Sequence, residues 1–232
     1  MIMKDRIKFL GTGGVFDYTI GNSSVIIATE HGKILVDCGY TVYKKLDEMQ
    51  LIESITYIML THLHGDHVGS IHPLILTLVN KYKKRVKIIY PTKSYLLTIK
   101  SYLSYFLIDT ERYIDFVDIA LLEGVGYIET SNAHVIGMPS YSYYFEFTDG
   151  IIYFSGDVGK LEFVKKFAET SEKPIVIFHE TSFLQGTAHV YYKDLENFSR
   201  KQELYAYHCN HLKAPKDCSL SFVANEEGFL FT

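Results

Sequence analysis

Cysteine is scarce, long apolar runs are missing, and positive charge is not in excess. The three cysteines, Cys38, Cys209 and Cys218, make no CxxC pair and no even set. That excludes a disulfide framework and fits a reducing cytosol. No apolar run reaches the ~18 residues needed to span a bilayer. The opening MIMKDRIKFLGTGG lacks a sustained apolar core and a small-residue cleavage site. It reads as a strand entering a glycine turn, not as a signal peptide. A soluble cytoplasmic protein with no membrane partner is expected. The net charge of −4 and pI near 6.2 argue against a strongly basic nucleic-acid surface. DNA is set aside on that ground. The basic run Lys81, Lys83, Lys84, Arg85 and Lys87 lies between a helix and a strand, where it reads as a solvated end.

What is present is a globular balance, 47% hydrophobic and 22% charged over 232 residues. No repeat, low-complexity tract or linker divides the chain, so residues 1–232 are expected to form one domain. Strands are expected at 7–10, 24–29, 33–37, 55–60, 86–90, 144–147, 151–154, 175–178, 204–207, 220–223 and 228–231. Asp149-Gly150 signals a type I′ hairpin between two of them. Ile71, Leu74, Ile75, Leu78, Val79 and Tyr82 recur with helical spacing. Further helices are expected over 42–49, 94–107, 161–168 and 191–200. Runs of strands with helices between them indicate an α/β fold of two mixed sheets carrying helices on their outer faces.

Thr61-His62-Leu63-His64-Gly65-Asp66-His67 follows the apolar run ITYIML directly. Three imidazoles and a carboxylate packed so closely share one electrostatic problem, and a divalent cation resolves it. Gly65 frees the loop to turn tightly. The same strand-end logic applies elsewhere with less force. Asp157 follows IIYFSG, and alone it would read as a loop or cap residue. His134 is isolated, with no other histidine between His72 and His179. His208 competes with His211, and its place directly after LYAY favours it.

At these residues the chain resembles the metallo-β-lactamase fold superfamily, whose HxHxDH motif stands here as HLHGDH. FLGTGG, NSSVII and LVDCG resemble the family's opening strands, and His134, Asp157 and His208 follow in the family's order. The resemblance implies an αββα four-layer sandwich with a two-metal centre at the sheet edge, zinc first and manganese second. It implies that His62, His64 and His134 hold one metal, that Asp66, His67 and His208 hold the other, and that Asp157 bridges them. It also places Asp37 behind the site, although a plain strand-end turn role is equally open.

The reaction turns on HETSFLQGTAHV, residues 179–190. His179-Glu180-Thr181 and His189 resemble paired motifs of the transfer-RNA 3′-processing enzymes and related phosphodiesterases. The serine and threonine that follow the second histidine in those motifs are Val190 and Tyr191 here. Cleaving a phosphodiester expels an alkoxide that must be protonated, and an imidazolium oriented by a carboxylate can do this. His189 is assigned as the acid and Glu180 as its partner, with Asp66 also serving the reaction; His179 reads as structural. The long transfer-RNA-gripping arm of those enzymes is replaced by the hairpin YYFEFTDGIIYFS. The compact form resembles small cyclic-phosphate hydrolases, including the phage and bacterial enzymes that degrade cyclic nucleotides in anti-Pycsar defence. That implies attack of metal-bound hydroxide on phosphorus in a cyclic mononucleotide. Tyr141, Tyr143, Tyr144 or the tyrosines of 94–107 could stack on its base or simply pack the core. The aromatic 94–107 helix is also a candidate homodimer interface. Three other readings compete: an RNA-processing nuclease of the transfer-RNA type, a thioester or lactone hydrolase, and a non-enzymatic protein that sequesters cyclic nucleotides.

Overall fold

The computed structural model describes residues 3–186, 188–200 and 202–231. The first sheet runs β1 (Ile7–Gly11), β2 (Ser24–Thr29), β3 (Gly32–Val36), β4 (Tyr57–Met59), β5 (Val86–Tyr90) and β6 (Ile114–Asp118), with neighbours in that order. The pairs β1–β2 and β2–β3 are antiparallel, and β3 to β6 are parallel. The second sheet contains β7 (Val125–Glu129), β8 (Tyr141–Phe147), β9 (Gly150–Phe154), β10 (Ile175–Glu180) and β11 (Glu203–Tyr207), in spatial order β11-β10-β9-β8-β7. It too is mixed, parallel across β9, β10 and β11 and antiparallel across β7, β8 and β9.

Seven α-helices are found among the described residues: α1 (Val42–Glu48), α2 (Gly65–Val68), α3 (Ile71–Asn80), α4 (Lys93–Ser104), α5 (Thr110–Tyr113), α6 (Glu162–Thr170) and α7 (Tyr192–Ser199). The layers follow from strand alternation. In β10, Val176 and Phe178 join the large core shared with β1, β2, β3 and β8, while Ile177 faces α6 and α7 with Val164 and Leu195. Residues of α1, α3 and α4 pack into the large core from the opposite side. The order is therefore helix, sheet, sheet, helix. Among the described residues no helix is long and apolar enough to cross a membrane.

Several expected elements differ. The segments at 220–223 and 228–231 are not strands. Among the described residues they pair with the sheets only through the single bridges Ala206–Phe222 and Phe9–Leu230, so their apolar residues cover sheet edges without forming a ladder. The turn between β8 and β9 is Thr148-Asp149, because Phe147 pairs with Gly150. Neither turn residue has positive φ, so this is not a type I′ turn; Gly150, at φ 154°, opens β9 where other residues would be strained. Tyr141 and Tyr143 are buried in the core, and Tyr143 donates from its hydroxyl to the Leu60 carbonyl at 2.7 Å. Tyr144 packs against Phe167. None of these three tyrosines lines the metal-ligand cavity described below.

Candidate metal centre

The candidate ligands gather where strands end, the position at which open α/β sheets collect their sites. The chain leaves β4 through Thr61 and His62, and His64 caps the short helix α2 that carries Asp66 and His67. His134 lies between β7 and β8, Asp157 just past β9, and His208 just past β11. Gly156 precedes Asp157 at φ 59° and packs against the Thr61 side chain. A side chain there would strain the backbone and push the Asp157 turn off β4.

The structure brings all of these side chains together. His64 Nδ1 lies 3.0 Å from both His62 Nε2 and His134 Nε2. His208 Nε2 is 3.3 Å and His67 Nε2 3.6 Å from Asp66 Oδ2. Asp157 stands between the two groups. Its Oδ1 is 3.0 Å from His208 Nδ1 and 3.3 Å from His67 Nε2. Its Oδ2 faces His134 Nε2 at 3.7 Å and His62 Nε2 at 3.9 Å. His208 is in this cluster, and His211 is beyond it, in a 3-10 turn beside Phe222.

The neighbours of these rings decide whether they suit a cation. Thr61 Oγ1 donates to Asp37 Oδ2 at 2.8 Å, so it accepts from His62 Nδ1 at 3.0 Å. His134 Nδ1 donates to the Ala188 carbonyl at 2.7 Å, and His67 Nδ1 donates to Asp37 Oδ2 at 2.7 Å. Each tie turns Nε2 inward, and at His62 and His134 it leaves the lone pair there. Two inward lone pairs therefore meet His64 Nδ1, where one proton cannot serve both. His67 Nε2 is buried with no aligned hydrogen bond among the described residues. These are the features of a donor set suited to divalent metal.

The electrostatics agree. Burial, reinforced by the His67 charge, pulls His62 well below the ordinary histidine range; burial and His134 lower His64 as well. Both therefore keep lone pairs free near neutral pH. Burial works against the Asp157 charge, but His208 and His67 outweigh it and hold the carboxyl well below its ordinary value. At His67, burial is outweighed by Asp157 and Asp37, which push the ring well above its usual value. The space between the carboxylates thus favours positive charge. Asp37 accepts from the Thr61 N–H and Oγ1, both at 2.8 Å, and from His67. It holds both arms of the loop from behind, at φ 64°. Thr61 is the contributor that sequence reading passed over; its only signal was the polar residue immediately before HLHGDH.

Glu180, fully buried at the end of β10, holds His189 at the rim, with Oε2 3.1 Å from His189 Nδ1. Its Oε1 accepts from the N–H groups of Val190 at 2.9 Å and Val158 at 3.3 Å. The Val190 side chain is buried. Burial lowers the His189 pKa, but the Glu180 hydrogen bond and charge, with Asp157, prevail and hold it at about 9. His189 Nδ1 is also 3.9 Å from Asp157 Oδ2, and His134, Asp157 and His189 form a further group whose ligand atoms lie within 4.8 Å. His179 Nδ1 donates to the Glu180 carbonyl at 2.7 Å, away from the cluster, as a structural residue.

A family model described as anti-Pycsar protein Apyc1 matches residues 5–229. Among curated relatives, an anti-Pycsar protein Apyc1 of Paenibacillus xerothermodurans is 33% identical over 90 residues, which is 38% of this chain and 36% of that protein. The protein of the same name from Bacillus phage BSP38 is 35% identical over 78 residues, 33% of this chain and 30% of its own. The chain thus aligns with about a third of the length of these relatives. Among solved structures, the metallo-β-lactamase fold protein YhfI of Bacillus subtilis superposes with TM-score 0.69 at 15% identity, over 90% of this chain and 87% of that one. The short form of human tRNase Z gives 0.66 at 22% identity, over 89% and 93%. A diphosphatase of the PhnP family gives 0.65 at 16% identity, over 93% and 94%. The fold is the metallo-β-lactamase fold.

Proposed function

The chain belongs to the anti-Pycsar protein Apyc1 family, and on that premise we propose that it is a metal-dependent phosphodiesterase that opens cyclic mononucleotides to monophosphates. The observation that carries the reading is the Glu180–His189 pair, set 3.9 Å from Asp157 Oδ2 at the edge of the ligand cluster. Carbonyl chemistry has less need of an imidazolium at that place, whereas an alkoxide leaving a phosphodiester needs a proton.

In this reading His62, His64 and His134 hold one divalent cation and Asp66, His67 and His208 a second, with one Asp157 oxygen turned to each. Zinc or manganese, when bound, lowers the pKa of water and stabilises charge on the phosphoryl oxygens. Asp66 accepts the hydrogen of the attacking water. Water oxygen bonds to phosphorus, the ribose P–O bond breaks, and His189 passes its proton to the departing oxygen. Glu180 keeps that imidazole charged and aimed. The reading includes action in the cytoplasm and a homodimer, for which the exposed Tyr105 and Leu107 beyond α4 supply apolar surface.

Incubating the metal-loaded protein with cyclic AMP, GMP, CMP and UMP tests the reading, and monophosphates are the expected products. Turnover of none of the four, with cleavage of a precursor transfer RNA or a thioester instead, would overturn it. The acid also has a pH signature. It acts protonated, so its contribution is present below the His189 pKa of about 9 and lost as pH rises through it. Glu180→Gln removes the charge that holds this value up. The alkaline limb of the rate profile should then move down by about one to three pH units. An unmoved limb would remove His189 from the acid role.

A further inference from the structure

The ligand cluster opens into a cavity of about 670 Å³ walled further by Cys209, Asn210 and Lys213 after β11 and by two loops. One is the turn Gly14–Asp17 after β1, and the other is Thr181–Leu184 after β10. The first is closed by the Asp17 N–H donating to the Gly14 carbonyl at 3.2 Å, which places Val15 and Phe16 at its corners. Its base is fixed from several sides. Asn22 Nδ2 donates to the Gly14 carbonyl at 3.1 Å, and Asn210 Nδ2 donates to Asp17 Oδ1 at 3.2 Å. Gly14 abuts the His208 ring, where a Cβ would lie 3.4 Å from Nε2.

On this anchored turn the Phe16 side chain is 85% exposed, and Leu184 across the cavity is 80% exposed. Neither belongs to a hydrophobic core. Folding gains little from a bare phenyl ring held beside a cluster of histidines and carboxylates, whereas a flat ligand bound at that cluster would gain a stacking surface. Of the tyrosines that the sequence offered for this purpose, Tyr141, Tyr143 and Tyr144 are committed to packing, and those of 94–107 do not line this cavity.

We propose that Phe16 and Leu184 are the nucleobase wall of the site: the base stacks on Phe16 and against Leu184 while the phosphate occupies the histidine–aspartate cluster. Phe16 is then a specificity-determining residue that selects nucleotides over phosphodiesters lacking a base. Because every base has a π-face, the wall accepts purines and pyrimidines alike. Lys213, exposed on the same cavity, adds positive charge for an anionic ligand. This assignment rests on the reading of the cavity as a nucleotide site, and the test separates the two.

Metal-loaded wild type, Phe16→Ala and Phe16→Trp are titrated calorimetrically with AMP, UMP and ribose 5-phosphate, which shares the phosphate and sugar but has no base. Wild type should bind the nucleotides about tenfold or more tightly than ribose 5-phosphate. Phe16→Ala should lose that preference and keep its affinity for ribose 5-phosphate, while Phe16→Trp should retain the preference. The KM for cyclic AMP should rise in Phe16→Ala by the same factor with kcat little changed. Retention of the preference in Phe16→Ala, or equal weakening toward all three ligands, would overturn the assignment. Intact base preference in a wild-type protein that turns over no cyclic nucleotide would overturn the hydrolase reading and leave the base wall standing.

Discussion

Replacing His64 by alanine is expected to lower turnover of cyclic nucleotides about a thousandfold or more and to remove the thermal stabilisation that divalent metal gives. His64 Nδ1 is the point on which His62 and His134 converge, each at 3.0 Å. The ring is only partly buried, and it makes no capping bond to α2. Its loss therefore costs the fold little and the ligand set much. A cation's stabilisation of transition-state charge is worth several kcal/mol, and each 1.4 kcal/mol is about tenfold in rate. Metal at about 100 times its Kd should raise the wild-type Tm by about 5–10 °C for a chain of this size. Metal content, Tm with and without chelator, and turnover should fall together in His64→Ala. His31→Ala, at a histidine remote from the cluster, should leave all three as they are. A His64→Ala protein that keeps its metal and its Tm response would sink the ligand assignment.

His189→Ala should act differently, through the leaving group. On cyclic nucleotides the expected loss is about 10²–10⁴-fold, the usual worth of a positioned general acid. On an aryl phosphodiester, whose leaving oxygen needs no proton, the loss should be under about tenfold. Metal content and Tm should stay at wild-type values, because His62, His64 and His134 supply one group, and Asp66, His67 and His208 the other, without this ring. The imidazole is 34% exposed at the rim, so alanine leaves no buried cavity behind. The ratio of the two losses is the measurement. Equal losses on both substrates would argue that His189 only shapes the site.

The legible part of this molecule is the part where chemistry makes residues costly. Three imidazoles and a carboxylate crowded into HLHGDH right after a buried strand are hard to explain without a cation, and Asp157 and His208 each follow a strongly apolar run. The central strands β4, β9 and β10 are covered on both faces and stand out as apolar runs. β6 and β7 do not stand out in the sequence because each is a sheet edge. Their residues are largely half-buried, and IDFVD and VGYIE alternate weakly or contain glycine. The opposite error, at 220–223 and 228–231, has the same root. An apolar run reports burial, and burial against a sheet edge is not pairing with it. Phe16 carried no periodic signal, and only the folded turn shows that its ring stays in the open.

The manner in which Glu180 is satisfied has a consequence for how variation can accumulate around it. One of its oxygens reads the main-chain N–H groups of residues 158 and 190, and a main-chain N–H is the same in nearly every amino acid. Side chains at those positions are therefore free to drift within the volume available, proline aside, while the carboxylate and the ring it grips stay in place. Relatives that diverge just after the histidine can thus keep the same carboxylate–imidazole pair, and a pattern spelled in residue letters would discard them.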